Sequence, residues 1–366
     1  MSVAINGTNG ITYNDGSLQP SAPVGRNLII NGDMAIDQRN AGASATSNAT
    51  TYMTDRYEFQ MSSVTNVQTY QQVTDAPAGF NNSLKITNNS TTQATAAGVL
   101  STPRQKIEGL NTAYLNWGTS DAQTVTISFW VKASVTGTYP VSLINNDFTR
   151  SFVTNYTVSV ANTWEKKTAT IAGDTSGTWS VDNSTGISVM FSLDTGSTYQ
   201  TTAGSWQTGN YRGTSSDVHF LANASATWQI TGLQLEANTT ETPFEHLQYG
   251  QQLALCQRYY YIPAQGSNSE INVGWYYNST WVSSAIDMPV PMRVKPTLTD
   301  TTGSGYYTIY RNNAADTLDS LTLENSNNNH TCVSIYNNSD VSGTGGQAGI
   351  LRATNASAKL ELDSEL

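Results

Sequence analysis

Charge is what this chain has least of. Only 12% of its 366 residues are charged, about half the share of an ordinary soluble domain. Net charge is −10 and no run of Lys or Arg occurs. Nucleic-acid binding through phosphates needs clustered cations, so that class is set aside. The acidic balance also argues against docking on anionic lipid. No apolar run approaches the roughly 20 residues of a membrane-spanning helix, so membrane insertion is not expected. The opening MSVAINGTNGITYNDG has neither a basic n-region nor an apolar core and does not read as a secretory leader. The two cysteines, Cys256 and Cys332, fall in different predicted elements and read as reduced, packed thiols.

Catalytic signatures are equally scarce. The three histidines, His219, His246 and His330, have no metal-ligand spacing, and neither a G-x-S-x-G elbow nor a P-loop occurs. A glycoside hydrolase can draw two carboxylates from distant loops. Asp217, Glu236 and Glu245 are the candidates, but no pattern supports them, and Glu236 and Glu245 read as caps of a sandwich edge. The expectation is a protein that is not an enzyme.

What is abundant is Tyr (19), Trp (8) and Gly (28), among many Ser, Thr and Asn residues. Aromatic and β-branched residues favour strands, and Asn and Gly favour turns, so the fold class is all-β. Leu28-Ile29-Ile30 reads as a buried strand closed by Asn31-Gly32. In TVTISFWVKAS, 124–134, Val125, Ile127, Phe129 and Val131 share one face at period two. DRYEFQ (55–60), GISVMFSL (186–193) and ATWQITGLQLE (226–236) repeat the alternation, with turn clusters between them. Such spacing predicts a β-sandwich over 27–246. In 247–261, Leu253, Cys256 and Tyr260 lie at helical spacing, which predicts one short helix ending near Pro263 and serving as a joint. Alternation returns in INVGWYYN, WVSSAIDMPVPM, YYTIYRN, DSLTLEN, TCVSIYNN and KLELDSEL, predicting a second, smaller β-sandwich over 262–366. Residues 1–26 are too few to hold a core, and packing onto other subunits is expected of them.

NLIINGDMAIDQRN resembles the opening of jelly-roll domains in phage tail-fibre and other virion appendage proteins, which are similar to carbohydrate-binding modules. SFWVKAS, TWEKKTATIAGDTSGTW, SWQTGNY and ITGLQLEANTTETPFEH follow in the order such domains use. YGQQLALCQRYY and MPVPMRVKPTLT resemble a C-terminal module of phage appendages, and ITYNDGSLQPSA resembles short D-G-S-x-Q pieces of phage fibres. The resemblance spans nearly the whole chain. It implies a virion protein made in the bacterial host cytoplasm, assembled as a homotrimer and attached to other virion proteins through residues 1–26. It further implies adhesion to a host-surface glycan without cleavage. The alternatives are a structural appendage with no receptor, such as a capsid fibre or tail decoration, and a polysaccharide depolymerase. By the same resemblance a structural Ca²⁺ would be held by Asp33 and Glu236; no other cofactor is expected.

Glycan binding uses exposed aromatic faces flanked by amides and carboxylates. The polar loop 194–217 carries Tyr199, Trp206, Tyr211 and Arg212. The second domain carries Trp275, Tyr276, Tyr277 and Trp281. Trp206 and Tyr211 lie in the family-like SWQTGNY and also suit a fold-anchoring role. Alternation places Trp275 and Tyr277 on one face and Tyr276 on the other. The three tyrosines 259–261 read as packing at a domain seam.

Overall fold

The computed structural model describes residues 25–89, 92–324 and 329–366, together with the backbone of three short strands, Ala4–Asn6, Gly10–Thr12 and Leu18–Gln19. These three strands pair in that order into a small antiparallel sheet. The rest of the expected attachment segment, up to residue 24, lies outside the described residues.

The chain divides into two compact units. One comprises Gly42–Leu247 with the chain up to Ala35; the other comprises Gln248–Leu366 and the short stretch Ile36–Ala41. Both are all-β sandwiches, the first of them a jelly roll. Its smaller sheet runs in the order Glu165–Ile171, Val125–Ala133, Thr227–Glu236, Ser83–Asn88, Gln68–Val73, Ala45–Ser47. The larger runs Trp206–Thr208, Arg150–Val158, Gly137–Ile144, Thr185–Phe191, Leu100–Glu108, Tyr57–Ser62, Thr51–Tyr52, with Asp194–Thr195 added beside Leu100–Glu108. Between them lies one apolar core. Val125, Ile127, Phe129 and Val131 enter it from one sheet, and Tyr139, Val141 and Leu143 from the other. Period-two alternation is thus the direct cause of the layered core.

Leu28-Ile29-Ile30 is buried as expected but is not a sheet strand. Leu28 N donates to Leu235 O at 2.9 Å. The Gln105 side chain then satisfies Ile30 at both ends: Ile30 N donates to Gln105 Oε1, and Gln105 Nε2 donates to Ile30 O, each at 2.8 Å. A buried amide thus does what a neighbouring strand would do. Gly32 follows because a Cβ there would sit 2.1 Å from Leu233 O. Gly32→Ala should therefore cost about 2 kcal/mol through overpacking against backbone that cannot move aside. A urea titration checks this: an unchanged midpoint would mean that the turn can shift after all.

The second unit has a three-stranded sheet, Tyr260–Gln265, Lys359–Asp363, Thr297–Asp300, and a seven-stranded one, Ala314–Leu318, Tyr307–Arg311, Ala348–Ala353, Glu270–Asn278, Trp281–Asp287, Cys332–Asn337, Thr322–Leu323. Tyr276, Val282, Ile309, Ile335, Leu351, Leu360 and Leu362 form its core. The helix is Tyr249–Gln257, opened by a capping box between Gln248 and Gln251. It stops before Tyr260, which belongs to a strand, so Tyr260 is not on the helical stripe. Gln252 and Cys256, one turn apart, are the buried helical residues. Tyr259 and Tyr260 are core side chains, whereas Tyr261 is half-buried. Both cysteines are free, Cys256 buried and Cys332 half-buried.

Candidate functional site

The outward face of the larger sheet in the first unit is built by strand register. Glu58 stands opposite Arg104, Arg104 opposite Met190, Met190 opposite Ser142, and Ser142 opposite Val153. The pleat directs all five away from the core, yet all are buried. Segment 196–214 covers them. Its two arms are joined by Arg212 N donating to Tyr199 O at 2.8 Å and Thr201 N to Gly213 O at 2.9 Å. Tyr211 N donates to Ser151 Oγ at 3.2 Å, and Asn155 Nδ2 to Thr214 Oγ1 at 3.2 Å. Arg212 reaches Gln60 Oε1 through Nη1 and Asn210 Oδ1 through Nε at 3.1 Å.

This arrangement sorts the loop residues expected to bind ligand. Arg212 is 2% exposed, with its guanidinium 5.6 Å from the Tyr199 ring and 5.3 Å from Phe148. Burial, and next the neighbouring Arg104 charge, push it down to about 10. Tyr199 is half-buried beside it. Trp206 is an anchor, packed edge-on against Trp117, Phe152 and Trp179 at 5.3–5.4 Å, with Nε1 donating to Ala172 O at 2.8 Å. Tyr211 is half-buried over Ser151. Sequence reading missed Glu58, Gln60, Arg104 and Lys106. They occupy alternate strand positions, and only the return of a distant loop gathers them with Arg212.

Arg104 Nε donates to Glu58 Oε2 at 2.5 Å, and Lys106 Nζ lies 3.2 Å from the same oxygen. Burial works to raise the Glu58 carboxyl, but Arg104 and then Lys106 outweigh it and hold it below its ordinary value near 4.5. The sign follows from that lowering. The stabilisation is fully present above the unfolded value and is lost as pH falls through the lower folded one. Glu58→Gln should therefore cost about 2 kcal/mol at pH 7 and much less at pH 3. Urea midpoints at both pH values test this, and a pH-independent deficit would place the loss in packing instead of charge.

Asp33, Asp217, Glu236 and Glu245 are occupied locally. Burial raises the Asp33 carboxyl, which accepts Ala35 N at 3.4 Å. Glu236 accepts Thr242 N, Thr242 Oγ1 and Gln234 Nε2 at 2.7–2.9 Å. Glu245 accepts Gly25 N and Asn27 N at 2.6 and 2.9 Å. Asp217 accepts Thr214 N and Oγ1, both at 2.6 Å, and burial raises it. Among the described residues no group of three or more His, Cys, Asp or Glu is placed to hold a metal ion.

In the second unit, the outward face of the seven-stranded sheet is open. Alternation along Glu270–Asn278 turns Tyr276 into the core and Val273, Trp275 and Tyr277 outward, 56%, 41% and 75% exposed. Tyr276 donates its hydroxyl to Asp316 and lies under the Arg311 guanidinium at 4.3 Å; burial and that carboxylate raise its pKa. Trp275 is opposite Ser283, and Ser283 is opposite Tyr336. Trp281 is half-buried and stacks on Tyr336, with centroids 5.0 Å apart and planes 27° from parallel. Tyr277 tilts toward it at 6.1 Å. Trp281 Nε1 donates to Ser283 Oγ at 2.9 Å, which fixes the indole. Ile350 and Tyr310 continue the face on the next two strands. Of the four residues expected here, three share a surface and Tyr276 does not. Tyr336 and Tyr310 were missed, although period two in TCVSIYNN and YYTIYRN places each opposite its core-facing neighbours.

No family model and no curated protein matches the sequence. Among solved structures, the chain aligns with the enzymatically active domain of tailspike protein 4 from bacteriophage CBA120 at 10% identity and a TM-score of 0.29, over 58% of this chain and 22% of that one. It aligns with the CBM22-1 xylan-binding domain from Paenibacillus barcinonensis at 10% identity and a TM-score of 0.25, over 55% and 99%. It also aligns with the family 11 carbohydrate-binding module of a Clostridium thermocellum cellulosomal cellulase at 14% identity and a TM-score of 0.25, over 60% and 99%. The chain thus spans under a quarter of the tailspike domain.

Proposed function

We propose that this chain is a phage virion appendage protein, a tail fibre, that adheres to host-surface glycans without cleaving them. The observation that carries the reading is the open aromatic face of the second unit, formed by Trp275, Tyr277, Trp281 and Tyr336. Rings on a flat sheet stack against the C–H faces of sugars, and the buried Ser283 holds the Trp281 indole in place by accepting its Nε1–H. The resemblance of NLIINGDMAIDQRN and the ordered motifs after it to phage appendages supports the virion setting. In that setting the protein is a homotrimer, is fixed to other virion proteins by residues 1–26, and gains avidity from several copies on one particle.

The test is saturable binding of the purified protein to intact host cells, before and after removal of surface polysaccharide. Binding lost with the polysaccharide, with no oligosaccharide released into solution, is the expected outcome. Binding that survives removal would overturn the glycan reading, and released oligosaccharide would make the protein a depolymerase. The exposed apolar side chains on that face also suit contact between copies in a receptor-less appendage. Absence of any cell binding by the assembled oligomer would favour that second reading.

A further inference from the structure

The covered face of the first unit has a charge imbalance. Arg104, Lys106 and Arg212 are three of only 17 basic residues in a chain of net charge −10. They gather around the Glu58 carboxylate: Arg104 and Lys106 pair with it directly, and Arg212 lies within its electrostatic reach. Arg104 and Arg212 also donate through Nη1 to the same amide oxygen, Gln60 Oε1, so their guanidinium groups are neighbours. Among the described residues the hydrogen bonds of both arginines run through Nε and Nη1, and neither Nη2 is a fully buried unpartnered atom. Buried like charges side by side are costly unless an anion sits with them. Burial pushes Lys106 below its ordinary value, as it does Arg212. Replacing a buried ion cluster by well-packed hydrophobic residues is often neutral or stabilising, so packing alone does not call for it.

The surroundings of the two guanidinium groups are polar and aromatic. Gln60, Tyr199 and Asn210 around the arginines are half-buried, offering two amides and an aromatic ring. Planar guanidinium pairs match the planar geometry of a carboxylate or the oxygens of a sulfate. We propose that Arg104 and Arg212, framed by Gln60, Tyr199 and Asn210, form a second ligand site, one that takes the carboxylate or sulfate of an acidic saccharide. The inference rests on the glycan-adhesion reading and adds to it a ligand class and a position far in sequence from the aromatic face.

The probes are an oligogalacturonate, a sulfated oligosaccharide, a neutral oligosaccharide of equal length and inorganic phosphate, each titrated calorimetrically into the full chain. At least one acidic oligosaccharide should bind tenfold or more tightly than the neutral one. That advantage should shrink at least fivefold when NaCl is raised from low to high concentration, because the contact is ionic. Arg212→Gln should remove the advantage of the acidic over the neutral oligosaccharide. Lys106→Gln, nearer the surface, is the second variant should Arg212→Gln fail to fold; it should reduce the advantage at least twofold. Equal affinity for acidic and neutral sugars, or an advantage that survives both substitutions in folded protein, overturns this site while leaving adhesion intact. Phosphate binding without oligosaccharide binding overturns the saccharide assignment. No sugar binding of any kind, together with polysaccharide-independent cell attachment, overturns the adhesion reading itself.

Discussion

Replacing Trp275 and Tyr277 together by Ala should weaken binding to host polysaccharide about 100-fold and leave the thermal midpoint of the protein within error of the parent. The binding loss follows from what the two rings do. An aromatic anchor at the centre of a binding surface typically carries about 2 kcal/mol or more. Two anchors on one ligand overlap in their effects, so about 3 kcal/mol is expected for the pair, and 1.4 kcal/mol is a factor of ten. The stability argument is separate. Both rings project from the solvent face of Glu270–Asn278, and Tyr277 is 75% exposed. Substitutions at such positions usually change stability by no more than about 0.5 kcal/mol. Tyr276 is the control between them. It is buried with its hydroxyl on Asp316, so Tyr276→Ala should destabilise by about 3 kcal/mol or more and lower the unfolding midpoint clearly. Surface plasmon resonance on immobilised polysaccharide, paired with calorimetry of each variant, reads both quantities. Full binding by a folded Trp275/Tyr277 double variant would remove this face from the adhesion reading. A change in oligomeric state in place of binding would assign the face to contacts between copies.

The contrast among Trp275, Tyr276 and Tyr277 is the part of the site that the sequence makes legible. Period-two alternation is a local property of the backbone, so the sorting of neighbours into core and surface survives any tertiary arrangement. The same holds for Val125, Ile127, Phe129 and Val131. Alternation does not say whether an outward face meets water. Glu58, Arg104 and Ser142 occupy positions that would be solvent-facing in a bare sheet, yet all are buried on the face that segment 196–214 crosses. That loop is separated from Glu58 by well over a hundred residues, and no local signal announces where it will land. Leu28-Ile29-Ile30 illustrates the converse. Its apolar run is read correctly as buried and wrongly as a strand, because the Gln105 side chain supplies the hydrogen bonds that a strand partner would have made.

The stretch IDQRNA, 36–41, was equally silent, and it carries the other large expectation. It belongs to the second unit, although the chain on either side of it belongs to the first. Arg39 holds it there. Its guanidinium lies 3.7 Å from the centre of the Tyr260 ring, and Nη2 is 3.3 Å from Asp363 Oδ2 and 3.2 Å from Glu365 Oε1. Gln38 Nε2 donates to Tyr260 O at 2.9 Å, and Lys359 Nζ donates to Arg39 O at 2.9 Å. The Glu365 side chain is 3% exposed and that of Asp363 is 32% exposed. Loss of Arg39 therefore strips one well-buried carboxylate and one partly solvated carboxylate of a cation. Removing one partner of a fully buried pair costs about 3–5 kcal/mol; solvent at Asp363 reduces this, and loss of the cation–π contact adds to it. Arg39→Ala should thus destabilise the second unit by about 3 kcal/mol. For a urea dependence of about 2 kcal/mol per molar, the midpoint falls by about 1.5 M. Trp281, stacked on Tyr336 within that unit, is the fluorescent reporter, with Arg39→Ala measured in the full chain. Arg39→Lys should recover only part of the loss, since an ammonium keeps the charge but not the planar stack on Tyr260. Equal stability of all three proteins would mean that residues 36–41 lie on the second unit without holding it. A shift for Arg39→Ala that Arg39→Lys repairs in full would make charge, not stacking, the force that secures the C-terminal strand.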